Sequence, residues 1–324
     1  GAAMCLGTDQ LVFIGLMARV PETCAHDYPE LALGMAVAPA IRGDDPTVQR
    51  FLGLAEASLD KLSDSRRAVC VLAIRTLHAV HASRACDPVA MLVAANDAER
   101  ILSDLSYADA PGWAYNRGSV YALRGIAELW AGQYETAAQI IRVGLASLPP
   151  ERAGHDEDIR LLGLLALAES GAGRFAEARQ LARRALDTAR SRGRARGGEA
   201  KWAWLAIAYV DTYSCDEQAR ETIAQCAQVI DAHLSPFTAA LLQVIQASDD
   251  YARDDLASAR VRLTAVAASP AGRGRRIAAQ VVKLRMTVEL AANDVERARL
   301  VLQEYDKAMA ADPLPESSRD PAST

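Results

Sequence analysis

The sequence predicts an all-α fold, an α-solenoid of about seven antiparallel helix pairs stacked into a right-handed superhelix, and three observations carry that prediction. A six-residue phrase recurs as Gly132-Gln133-Tyr134-Glu135-Thr136-Ala137, Gly173-Arg174-Phe175-Ala176-Glu177-Ala178, Asp254-Asp255-Leu256-Ala257-Ser258-Ala259 and Asn293-Asp294-Val295-Glu296-Arg297-Ala298, its alanines stepping by 41, 81 and 39 residues. A fixed period near forty is the mark of a helical repeat array. Apolar residues recur at three-to-four spacing throughout, and strand-type alternation is hard to find. Aromatics are only 5% of the 324 residues while alanine is abundant, which favours closely packed helices.

Each part of the phrase has a physical task. The leading Gly, Asp or Asn ends one helix, because these residues tolerate the left-handed turn that releases the last carbonyls. The aromatic or aliphatic residue two places later opens the next helix and plugs between the pair. Three residues on, the alanine shares that face and lets two backbones approach. The same logic asks for a small residue twelve positions before each alanine, where Gly125, Ala166, Ala247 and Met286 stand. Three of the four comply.

The elements follow in order. A leading helix is expected near 8–19, capping the first repeat or belonging to an upstream domain. First helices of the pairs are expected near 29–42, 65–84, 113–131, 156–171, 199–214, 236–252 and 274–292. Second helices are expected near 46–62, 88–106, 134–148, 175–192, 216–233, 255–268 and 294–311. Asp45-Pro46, Asp87-Pro88 and Ser235-Pro236 each place a capping side chain before a proline at the first helical position. Pro149-Pro150 and Pro270 stop second helices. The fifth pair departs from the phrase, with Asp216 at the opening apolar position and Ala219 in register. The resulting division is a leading segment with one capping helix over 1–27, a repeat domain over 28–311, and a flexible tail or linker over 312–324.

Composition narrows the function classes. With 51% hydrophobic and 24% charged residues the chain can bury a substantial core. The net charge of −5 gives no global attraction to nucleic acid, so any basic site must be local. Four lysines against thirty-two arginines reads as a high-GC coding bias. The six cysteines, at 5, 24, 70, 86, 215 and 226, form no C-x-x-C and no metal-type cluster, and a reduced cytoplasmic chain is expected. The apolar stretch from Leu11 to Met17 falls far short of the roughly 20 residues that span a bilayer, so no membrane partner is expected. Gly1-Ala2-Ala3 reads as a remnant ahead of Met4, which makes the chain a candidate fragment of something longer.

Arg19-Val20-Pro21, Tyr28-Pro29-Glu30-Leu31-Ala32-Leu33 and Gly43-Asp44 resemble the "L-P … P-x-L-x-L … G-D" opening of the extended tetratricopeptide-like superhelix in MalT-like, LuxR-type regulators, the large ATP-binding transcriptional activators. The resemblance runs from Val20 to Ala311. It implies an NTPase switch before this segment and a LuxR-type helix-turn-helix after it. Neither is in the sequence, and no G-x-x-x-x-G-K-[ST] phosphate loop occurs. It also implies an arm that receives a small-molecule inducer or regulatory protein and helps set homo-oligomerisation. Direct DNA contact is left to the helix-turn-helix. No ligand residues transfer from the family.

Candidate sites come from the residues themselves. First helices of such arrays line the concave face, and two are unusually aromatic: Trp113, Asn116, Arg117, Tyr121 and Arg124 in the third pair, and Trp202, Tyr209 and Tyr213 in the fifth. Flat rings beside Arg and Asn suit stacking on a sugar, peptide or planar effector, though such rings more often pack cores. A basic cluster gathers Arg190, Arg192, Arg194 and Arg196 with Arg273, Arg275 and Arg276 two repeats on. It suits nucleic acid, acidic protein or phosphate. Loops kept soluble by charge explain it as well, since no aromatics interleave. His78 and His81 share a helix face but lack further ligands, so neither metal nor cofactor is expected. No nucleophile with a nearby base can be assembled, so catalysis is not expected. The expected function is a ligand- or protein-binding, oligomerising sensor domain of a LuxR-family regulator. The alternative is a free-standing scaffold holding a partner's peptide or helix in the groove.

Overall fold

The computed structural model describes residues 10–105, 113–148, 155–230 and 235–311. Among them the regular structure is helical, with no strand. A short helix α1 (Gln10–Met17) precedes seven hairpins: α2 (Pro29–Arg42) with α3 (Asp45–Ala57), α4 (Asp64–Arg84) with α5 (Pro88–Asp104), α6 (Trp113–Ala131) with α7 (Tyr134–Ala146), α8 (Asp156–Gly171) with α9 (Phe175–Ser191), α10 (Lys201–Tyr213) with α11 (Ala219–Val229), α12 (Pro236–Ala252) with α13 (Leu256–Ala268), and α14 (Arg275–Ala291) with α15 (Val295–Ala311). The expected all-α solenoid is the observed fold. Residues 8, 9 and 106, Pro149-Pro150 and the 312–324 tail lie outside the described residues.

Every hairpin turns through the same backbone device. One residue in each turn has positive φ: Gly43 (75°), Cys86 (58°), Gly132 (82°), Gly173 (81°), Cys215 (53°), Asp254 (65°) and Asn293 (58°). The next residue's N–H then reaches back to a carbonyl five residues upstream, as from Gln133 to Glu128 and from Arg174 to Glu169, both at 2.9 Å. This 6→1 bond closes the first helix by satisfying a carbonyl left over at its end. Asp87 and Asp255 then cap the following helices by accepting from Ala90 and Ser258.

Details differ from the sequence reading at three hairpins. The cap of α3 is Asp44, accepting from Thr47 at 3.3 Å, and Asp45 is already helical. Asp45 instead holds Arg84 of the next layer. Ser235 makes no cap bond and accepts from the Lys201 ammonium at 2.8 Å. In the fifth hairpin the left-handed residue is Cys215, so Ala219 follows it by four places rather than five. Here α11 begins only at Ala219, after a turn in which Asp216 accepts from the Gln218 N–H.

Small residues set the spacing within and between layers. A Cβ on Gly125 would stand 2.5 Å from Ile141, where α6 meets α7 beside Ala137. One on Gly163 would stand 2.7 Å from the Ala203 amide nitrogen, across the seam between α8 and α10. Ala166 and Ala247 are fully buried. Helix α1 rests on α2 at Gly34, against Phe13 and Met17.

The first helices of successive hairpins pack on one another, from α2 through α4, α6, α8, α10 and α12 to α14, and form the inner wall. The array also touches itself across its axis: α14 meets α6, and α12 meets α4. One large apolar core therefore runs from Ala79 to Val288, with a smaller core under the first two hairpins.

Candidate functional site

The axis of the superhelix, between the third and seventh hairpins, is where the candidate residues converge. Trp130, near the end of α6, is 1% exposed and stacks on Phe237 of α12 with ring centroids 4.3 Å apart. Trp202 at the start of α10 meets the same indole at 6.2 Å. Tyr209 and Tyr213, one turn apart on α10, stack at 4.4 Å, and Phe175 meets Tyr209 edge-on. Into this cluster comes Arg276 from the first turn of α14. Its guanidinium lies 4.9 Å from the centre of the Tyr134 ring and donates through Nη1 to the Leu129 carbonyl at 3.4 Å. Cation and ring face attract, more strongly where water is excluded.

The remaining predicted groove residues have several fates. Trp113 and Asn116 belong to the first turn of α6, where the side chains lie outside the described residues. Arg117 is half-buried. Tyr121 is buried against Gly144, and Arg124 pairs with Glu99 of the preceding layer. Trp202 is buried too, at 5% exposure. The third and fifth hairpins thus supply aromatic side chains to the axis, as packed rings rather than an open platform.

The basic cluster resolves into separate pieces. Arg190 pairs with Asp187 at 2.7 Å and lies over Trp204, and Arg194 pairs with Asp156. Arg192, Arg196 and Arg273 are exposed, and Arg275 is half-buried. Arg276, expected in the surface cluster, is 3% exposed and belongs to the axis. Beside this cluster an open depression of about 700 Å³ runs along α9, lined by Arg179, Arg183 and Arg184 among others. His78 and His81 approach Arg75 and Asp45 respectively, and burial lowers the pKa of His78. Among the described residues no three metal-type side chains converge.

One feature of the inner layers escapes the sequence reading. Four places before the left-handed residue, the last five hairpins all carry an acid: Glu128, Glu169, Asp211, Asp250 and Glu289. Glu169, Asp211 and Glu289 are almost wholly buried, and each takes an arginine from the preceding layer: Arg142 at 2.6 Å, Arg179 at 2.9 Å and Arg260 at 2.6 Å. Asp250 pairs within its own hairpin with Arg262 at 2.8 Å. Glu128 has no arginine reaching it from α5, and burial raises its pKa against the opposing pull of Arg124. Aligning the repeats on the turn residue, rather than on the alanine, makes this column of acids readable.

The fold and its inner wall define a tetratricopeptide-like helical-repeat protein. The chain is similar in structure to NprR solved with its cognate peptide NprX, with a TM-score of 0.62 at 14% identity over 92% of this chain and 81% of that one. It is similar to a Rap protein complexed with competence and sporulation factor, with a TM-score of 0.62 at 14% identity over 87% and 77% of the two chains. The apo form of the quorum sensor NprR from B. thuringiensis gives 0.51 at 14% identity over 87% and 76%. No known family profile and no curated protein matches the sequence.

Proposed function

We propose that this chain is the effector-receiving arm of a transcriptional regulator of the MalT-like, LuxR type, taking a small molecule or peptide at the axis of its superhelix. The observation that carries the reading is the likeness over nine-tenths of the chain to NprR solved with a peptide. The opening residues of the repeat region narrow it to the MalT-like type. Mechanistically, neighbouring layers touch mainly each other, so small rotations add along the array. An effector that prefers one curvature shifts the population toward it, and the neighbouring domains read that change. The arm itself carries no catalysis, works in the cytoplasm and leaves DNA to a separate domain. Axial packing of Trp130, Phe237 and Arg276 favours a slender effector over a folded partner helix, which would have to displace all three.

Small-angle scattering and thermal melting of the purified chain, with and without the low-molecular-mass fraction of its host's extract, test the proposal. A change in dimensions, association state or melting temperature is expected. Unchanged values across all fractions, or a reading frame without an NTPase upstream and a helix-turn-helix downstream, refute it in favour of the free-standing scaffold.

A further inference from the structure

Arg276 is the one buried arginine among the described residues, and several less enclosed arginines are matched by carboxylates. The side chain of Arg84 is 8% exposed and holds Asp45. Arg160 pairs with Glu157 and Glu199. Arg260, less deeply set, forms a two-pronged pair with Glu289 at 2.9 and 2.6 Å. Arg276 is as deeply buried as any, and among the described residues no carboxylate pairs with it. Its Nη1 has the Leu129 carbonyl; its Nε and Nη2 are buried and have no acceptor among the described residues. Those two nitrogens share one edge of the guanidinium, the fork that receives both oxygens of a carboxylate in Arg–acid pairs.

The neighbours of Arg276 are rings and uncharged polar groups rather than carboxylates. Burial lowers the pKa of Arg276, and the rings around it are those of Tyr134, Tyr209 and Tyr213, with the Tyr134 hydroxyl its nearest polar side-chain neighbour. Gln280, one turn along α14, has a buried Oε1 with no donor among the described residues, and the buried Trp130 indole nitrogen has no acceptor among them. Tyr213 is the most exposed of the three rings, at 42%. A buried cation without a counter-charge is costly. Each such group in a native protein calls for an explanation, of which a bound ion is one.

We infer that this axial cluster is an anion site for the carboxylate of the effector, gripped by the Nε–Nη2 edge of Arg276, with Gln280 Oε1 accepting from a neighbouring N–H or O–H of the same ligand. The inference rests on the effector-receiving reading above and names the chemistry of its ligand. One positive charge matches one carboxylate. A phosphate group, at about −1.5 to −2, would leave excess negative charge among tyrosines.

Sodium acetate is the probe, titrated against sodium chloride at matched ionic strength with sodium phosphate as a further arm, and followed by tryptophan emission and melting temperature. Wild type is expected to saturate with acetate in the mM range, roughly that of a single-group ligand, and to melt higher with it. R276K keeps the charge but loses the fork, so its binding weakens about ten-fold or more. R276M loses binding altogether, and without acetate melts no lower than wild type, which a purely structural role for Arg276 forbids. If R276M does not fold, R276K and Q280A carry the comparison. The inference fails if wild type shows no saturable response to acetate, if R276K titrates like wild type, or if phosphate binds more tightly than acetate. Should the host's low-mass fraction still shift wild type and R276K alike, the site is wrong and the effector-receiving reading stands. Should it shift neither, both fall.

Discussion

Replacing Gly163 with alanine adds one methyl group at a seam between layers where backbone stands close. The new Cβ would lie 2.7 Å from the Ala203 nitrogen and 2.9 Å from the Trp202 Cβ. Ordinary carbon contacts need about 3.5 Å, so α8 and α10 must part by roughly 0.8 Å. The obstacle is backbone, which no rotamer change relieves. Overpacking of this kind costs about 1–3 kcal/mol, against which alanine's better helix propensity returns about 1 kcal/mol. A net loss of about 0–2 kcal/mol is expected. Gly53, exposed within α3, supplies the control: a Cβ there meets nothing within 4 Å, so Gly53→Ala should gain about 0.5–1 kcal/mol. Urea midpoints by circular dichroism measure both, and tryptophan emission reports the displacement of Trp202. A Gly163→Ala midpoint above that of wild type, with unchanged emission, would refute the close-approach argument.

Other perturbations follow from the same structure. Glu169→Ala removes a fully buried acid that binds Arg142 and Arg174. Both arginines are half-exposed and rehydrate, so the loss in urea unfolding should be about 2–3 kcal/mol, below the roughly 3–5 of a pair buried at both ends. Cys215→Gly relieves an exposed non-glycine residue at φ 53° and should raise stability by about 1 kcal/mol or less; a fall in the urea midpoint would contradict the assigned turn. Glu128 has its pKa raised by burial, so in the folded chain its ionisation is opposed. Stability from this group is present at acid pH and is lost as pH rises through the folded pKa. Glu128→Gln should therefore stabilise the chain at neutral pH, with the gain shrinking toward pH 4 and below, where the unfolded chain is protonated too. A gain that persists undiminished at acid pH would exclude this cause.

The array was legible because its determinants are local. Gly132, Gly173, Asp254 and Asn293 announce their turns by residue type, and the alanines five places on fix the next helix. Cys86 and Cys215 take the same left-handed conformation without any such tendency. The repeat phrase, anchored on its alanine, therefore falls one residue out of step at the fifth hairpin. The axial cluster was only half legible. The stacking of Tyr209 on Tyr213 is a one-turn relation within α10, and the richness of α6 and α10 in rings marks the region. The meeting of Arg276 with Leu129 joins residues 147 apart, across the superhelix axis. No periodicity encodes it, and an arginine beside Arg273 and Arg275 looks like any other member of a basic loop.

A chain of layers that met only their immediate neighbours would come apart from either end, one hairpin at a time. Here the seventh layer is buttressed against the third and the sixth against the second. Paring away the final hairpin would strip the shelter from Trp130 and Phe237 midway along the array, and fraying begun at one terminus would reach the centre in a single step.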